Sequence, residues 1–237
     1  MNKKIAGCML TLLMLLILSS GYIDPGKKII LRFHHFVGTE PLVLGDTLAN
    51  PFGEKMVVER FKYYLSNFIL IDQSGEKEII PNSYFLVDES DSTSKRIELT
   101  TKLNKITSIE FMVGVDSIKN YSGIQTGVLD PMKAMFWTWN TGYIFAKLEG
   151  SSNTSKSAGH HFTYHIGGFK DGENAVRKIH LKILKQNQLI DINADINSWF
   201  YAKNRIKISE LPICHTPGAL AMQIADNYSN MFSILFK

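Results

Sequence analysis

Apolar and polar residues alternate with period two over much of this chain. From Arg177 to Leu184, Ile179, Leu181 and Ile183 share one face while Lys178, His180 and Lys182 share the other, the signature of a half-buried strand. Comparable runs at 29–36, 63–71, 79–87, 96–100, 108–115, 143–148 and 162–167 predict further strands, separated by polar turns such as Gln73-Ser74-Gly75 and Asp171-Gly172. Helical spacing is sparse and late. Leu220, Ile224 and Met231 recur on one face after Pro217-Gly218, which predicts a helix over 217–231 with Pro217 in its first turn, and a second short helix is expected over 194–201. Gly150 to Gly159 is rich in serine and reads as a loop. No linker or internal repeat divides the chain. The pattern predicts a mainly β, single-domain, β-sandwich-like fold with a few short helices, including one near the C-terminus.

The first residues break this pattern. Asn2-Lys3-Lys4 leads into an apolar run from Ile5 to Ile17 and Leu18 and then Ser19-Ser20-Gly21, the organisation of a secretory leader cleaved near Gly21. Residues 1–21 are therefore expected to be a signal peptide, and 22–237 the β domain, periplasmic, secreted or at the cell surface. The run is shorter than the ~20 residues a spanning helix needs, so no integral span is expected after processing. Losing Lys3 and Lys4 lowers the formal charge from +4 to +2, too near neutrality for a nucleic-acid footprint. It also removes Cys8 and leaves Cys214 alone, so no internal disulfide is expected.

Histidine is the first candidate for chemistry, because the seven are clustered: His34-His35, His160-His161, His165, His180 and His215. A neutral imidazole is a common metal ligand. His161 and His165 share a strand face but are separated by about 13 Å if the strand is regular, so one ion cannot bridge them. His34 and His35 point to opposite faces, so at most one joins a given site. The densest aromatic block runs from Met132 through Phe136, Trp137 and Trp139 to Tyr143, with Met132 and Met135 as soft thioether donors. One alternative makes Trp137, Trp139 and Tyr143 an exposed stacking platform for a carbohydrate or peptide. Another makes Cys214 and His215 part of a redox or metal-dependent enzyme. Asp116 and Asp130 flank the block as oxygen donors for calcium, without the spacing of an EF-hand loop. No Gly-x-Ser-x-Gly, His-Glu-x-x-His or phosphate-cradling glycine loop is present.

Several motifs in order resemble the MbnP-like family of periplasmic, methanobactin-associated copper-binding proteins. They are Phe33-His34-His35-Phe36-Val37-Gly38, Tyr63-Tyr64-Leu65-Ser66-Asn67, Gly114-Val115-Asp116-Ser117, and Gly123 to Pro131. Met135-Phe136-Trp137-Thr138-Trp139-Asn140-Thr141-Gly142-Tyr143, Lys147-Leu148-Glu149-Gly150, Phe162 to Gly168 and Ile224 to Tyr228 complete the set. The resemblance spans roughly 29–232. It implies a β-sandwich-like protein holding one copper(I) ion for uptake, storage or delivery, and not an enzyme. By motif, His35 and His165 are the implied histidine ligands. Trp137 or Trp139 is the implied third donor after oxidation to kynurenine by a di-haem cytochrome c peroxidase-like partner. Kynurenine offers an aryl amine nitrogen where indole has no useful lone pair.

Overall fold

The computed structural model describes residues 26–138, 140–185 and 187–235. The expected leader, and Trp139, lie outside these residues. Two sheets form the body. The smaller is centred on β1 (Lys27–Val37). On one side β1 pairs with β2 (Glu40–Pro41) and β7 (Arg96–Thr101), both antiparallel. On the other it runs parallel to β13 (Leu189–Asp195), beyond which lies β15 (Phe232–Ile234).

The larger sheet is built on the 18-residue β4 (Lys55–Asp72). β3 (Thr47–Ala49), β5 (Lys77–Ile79) and β6 (Tyr84–Asp88) pair with β4, as do the long neighbours β8 (Ile106–Val113) and β10 (Gly142–Ser151). β9 (Phe136–Thr138) pairs with β10, and the sheet continues through β11 (His161–Gly167) to β14 (Ile213–Cys214) on one side and β12 (Arg177–Lys182) on the other. Among the described residues three short α-helices join them: α1 (Ser117–Tyr121), α2 (Asn197–Phe200) and α3 (Ala219–Tyr228).

The core lies between the sheets and follows from strand alternation. On β1 the buried positions are Ile29, Leu31, Phe33, His35 and Val37. They face Phe61 and Tyr63 of β4, with ring centroids 6.4 Å apart for Phe33 and Tyr63 and 4.9 Å apart for His35 and Phe61. Each fully buried large apolar side chain contributes about 1.5–3 kcal/mol. The described chain therefore rests on its apolar core, and Cys214 is a free, buried cysteine.

The expected mainly β, sandwich-like architecture is present, and the differences have local causes. The predicted strand 79–87 is two strands, because Pro81 has no N–H for the ladder and Asn82 takes a left-handed turn with φ 50°. The parallel strand β13 and the short β2, β3, β9, β14 and β15 lie outside the runs predicted from the alternation. The helix expected over 194–201 is only Asn197–Phe200, since Ala194 and Asp195 are taken up by β13. The C-terminal helix begins at Ala219, after Gly218 at φ 137°, so Pro217 precedes it.

Candidate functional site

The outer face of the larger sheet, turned away from the core, collects the polar side chains of β4, β10, β11 and β14. Phe61 and Tyr63 point into the core, so Arg60 and Lys62 point out. Lys62 pairs with Lys147, which pairs with His165, and these three form one row across the sheet. Arg60, Glu149 and Thr163 form the next row. β14 runs parallel to β11, with Thr163 opposite Ile213 and Tyr164 opposite Cys214. One step further along the same register sets His215 beside His165. Their rings are stacked with centroids 4.8 Å apart and 26° between planes, a separation equal to the ordinary spacing of adjacent strands.

Hydrogen bonds fix the inner ring of this pair. His165 Nε2 lies 2.6 Å from Glu149 Oε1. An ionised carboxylate only accepts, so Nε2 carries the proton and the lone pair of a neutral ring is on Nδ1. Arg60 donates to the other Glu149 oxygen at 2.7 Å, and the Lys147 ammonium stands 3.6 Å from Oε1. The His165 hydrogen bond outweighs burial, and with Arg60 and Lys147 it pulls the Glu149 carboxyl down to about 2. Burial lowers Lys147 below the usual ammonium range, and its ammonium donates to the Ala134 carbonyl at 2.7 Å. His215 is an exposed residue whose pKa is shifted downward by desolvation and the neighbouring imidazole.

Trp137 reaches the same face from β9. A Cβ placed on Gly167 would fall 2.8 Å from the six-membered ring of Trp137 and 2.5 Å from the Tyr143 carbonyl oxygen. Gly167 is two residues beyond His165 on β11, hence on the same face, so the indole lies over the strand about 7 Å further along. Glycine is what admits it. Gly167→Ala is expected to push the indole outward and cost about 1–3 kcal/mol. The check is a red shift in the fluorescence component that Trp137→Phe removes; unchanged emission contradicts this packing.

The structure does not bring His35 and His165 together. His35 is buried in the core on the opposite face of the larger sheet, and both its ring nitrogens are used. Nδ1 bonds to Glu89 Oε2 and Nε2 to the Tyr63 hydroxyl at 2.8 Å. Burial holds Tyr63 well above the usual phenol range, so its O–H donates to Nε2 and Nδ1–H donates to Glu89. Burial also lowers His35, which stays neutral near pH 7. Burial alone would raise the Glu89 carboxyl, but hydrogen bonds from His35 and Lys95 outweigh it. His34, on the other face of β1, bonds to Asp191 at 2.7 Å.

The other candidates have structural roles. Tyr143 is fully buried, with its hydroxyl donating to the Leu129 carbonyl at 2.8 Å, so it takes no part in an exposed aromatic row. Burial pushes the Cys214 thiol up to about 11, and its place opposite Tyr164 sends it to the core side while His215 points out. A neutral buried thiol facing away from His215 is not an activated nucleophile. Asp116 caps α1 and is also bonded by Tyr84 and Asn67, and Asp130 caps the turn at Pro131–Lys133. Met132 is exposed and Met135 is in the core, so the two thioethers do not converge.

Among the described residues no three His, Cys, Asp or Glu side chains assemble a closed metal site. Two imidazoles do lie side by side, and neither His165 Nδ1 nor any nitrogen of His215 has a hydrogen-bond partner among the described residues. Two nitrogen donors suit a soft, low-coordinate ion better than zinc, which takes four ligands, and because the in-plane lone pairs of the stacked rings run nearly parallel, one ring must turn for both to reach the same ion. The role of His215 beside His165 was not visible in the sequence, because it depends on a two-residue parallel strand. Glu149 had a signal, since alternation puts it on the face of Lys147. No helix of the described residues is long and apolar enough to cross a membrane.

The MbnP family model matches residues 26–216. Among solved structures, MbnP from Methylosinus trichosporium is similar, with a TM-score of 0.57 and 15% identity over 82% of this chain and 83% of that one. At that identity the likeness shows the fold alone. No curated protein matches the chain.

Proposed function

Because the chain belongs to the MbnP family, we propose that it is an exported protein that binds one copper(I) ion for uptake, storage or delivery, without catalysing a reaction. The observation that carries this reading is the histidine pair on the outer face of the larger sheet, with Trp137 packed on the same strand. His165 is the histidine retained from the family motifs. His35 is assigned to the core, where Glu89 and Tyr63 occupy it.

Trp137 or Trp139 supplies the third donor once it is oxidised to kynurenine, and the oxidising partner is a di-haem peroxidase-like enzyme. The half-buried Trp137, packed over Gly167 on the face that carries His165, supports this reading. Copper(I) is d¹⁰ and tolerates two or three nitrogen ligands, so the site needs no fourth side chain.

The test is an anaerobic titration of protein isolated from its own host, with a chromophoric copper(I) chelator in competition, followed by peptide mass mapping. One copper(I) per chain is expected, with a tryptophan peptide that has exchanged one carbon for one oxygen. A protein that takes no copper from the chelator would overturn the reading, and unmodified tryptophans would remove kynurenine from it.

A further inference from the structure

We propose that the apolar cavity over β4, β5, β8 and β12 is a binding site for a small amphipathic anion, an aliphatic or aromatic body that bears one carboxylate. The inference stands apart from the copper reading. The cavity contains none of His165, His215 and Trp137, and it lies beyond the segment that covers Tyr64, whose hydroxyl donates to the Val128 carbonyl at 3.0 Å.

The cavity originates in a fault of the strand period. Phe61, Tyr63 and Leu65, the odd-numbered residues of β4, point into the core. The ladder to β8 then shifts register between Ser66 and Ile69, and Asn67 takes a left-handed conformation at φ 54°. The extra residue exchanges the two faces, so Phe68 and Leu70 are buried and Ile69 turns outward. Ile69 pairs with Ile79 of β5 on one side and with Glu110 of β8 on the other, and Met112 shares the outer face with Glu110. Two isoleucines and a methionine thereby make an apolar floor that reaches solvent, with Ile79 71% exposed. Apolar side chains gathered on the surface in this way mark a binding site.

One wall is held in place by the backbone. The Ile80 N–H donates to the Phe68 carbonyl at 2.8 Å. The Ser83 hydroxyl accepts from the Phe68 N–H at 2.9 Å and donates to the Ile80 carbonyl at 2.8 Å. Tyr84 closes the corner, with its hydroxyl bonded to Asp116. The cavity holds about 480 Å³, within the ~300–1,000 Å³ of preformed, mostly apolar small-molecule pockets.

The charge of the rim selects the ligand. Glu110 is the carboxylate that lines the cavity, and one of its oxygens already faces Lys77 at 3.7 Å and His180 Nδ1 at 3.3 Å. Asp116, behind Tyr84, is satisfied by Tyr84, Asn67 and the Lys119 N–H. Lys178 lies across from Met112 on β12 and has no carboxylate partner among the described residues. Its ammonium is left for an anion at the mouth, while the apolar body displaces water from Ile69, Ile79 and Met112. A cationic ligand would meet Lys77 and Lys178 instead.

Calorimetric titration of the protein with octanoate, decanoate and decanol, each below its aggregation limit, tests this. One decanoate per chain is expected, bound about 15-fold more tightly than octanoate at roughly fourfold per buried methylene, and more tightly than decanol. Ile69→Asp and Ile79→Asp put a carboxylate on the floor and should each lower decanoate affinity about tenfold or more, with copper(I) stoichiometry unchanged. Ile79 is exposed, so that variant is expected to keep its fold even if Ile69→Asp does not. Lys178→Glu should weaken decanoate about fivefold at low salt and less at high salt, without affecting decanol. Absence of decanoate binding, equal binding by wild type and Ile79→Asp, or equal affinity for decanol and decanoate would overturn the proposal. A wild-type dimer in sedimentation that Ile79→Asp dissociates would also overturn it, because a second copy would then cover this face.

Discussion

His35→Ala is expected to lower the stability of the protein by about 3 kcal/mol while leaving copper(I) stoichiometry in the folded protein unchanged. The side chain is completely buried and bonded at both nitrogens. Its removal strands the Tyr63 hydroxyl and takes from the Glu89 carboxylate one of its two donors, leaving Lys95 at 3.0 Å. It also empties a space against Phe61 and Tyr63. Acidity gives a second signature. Burial holds the folded pKa of His35 below its value in the unfolded chain, so below about pH 6.5 the unfolded state binds the extra proton. Stability contributed by the neutral ring is present above that pH and is lost as pH falls toward the folded pKa. Urea unfolding at pH 7.5 and 5.5 checks both points, because wild type should lose stability between them and the variant should lose less. A variant of native stability that no longer binds copper would place the site in the core after all.

Trp199→Ala is expected to cost about 4 kcal/mol. Trp199 is 1% exposed and sits on α2, with its ring 5.9 Å from Phe61 and 5.0 Å from Tyr228 of α3, and its indole N–H directed at the Met231 sulfur. It therefore joins the C-terminal helix and the segment leading into β15 to the core face of β4. Removing it opens a cavity at the meeting point of three elements. Loss of near-ultraviolet circular dichroism with a lowered urea midpoint is the expected result, and a change below about 1 kcal/mol would contradict this packing. Trp199 is thus a core residue, in contrast to Trp137 on the outer face.

Much of this was legible in the sequence where a strand is long and one face is apolar. β1 is the clearest case. Ile29, Leu31, Phe33 and Val37 alternate with polar residues, and the same period places His35 on the buried face. Read strictly, alternation already argues that His35 is a core residue, whereas the family motif draws it toward the metal. The outer-face row was partly legible, since Lys147 and Glu149 share a face of β10. Its decisive member was not. His215 follows a two-residue strand whose parallel pairing with β11 has no periodic signal, and its neighbours Cys214 and Pro217 invite other readings. β13 carries the same period, with Ile190, Ile192 and Ala194 alternating with Asp191, Asn193 and Asp195, but its parallel pairing with β1 has no signal in the sequence.

The location of the copper centre is the central claim, and an anomalous-difference map from crystals of the copper(I)-loaded protein, collected at the copper edge, tests it most directly. A single peak within bonding distance of the His165 and His215 imidazoles, on the face that carries Trp137, is the result expected. A peak beside His35 in the core, or none at all in protein shown to be loaded, would contradict it.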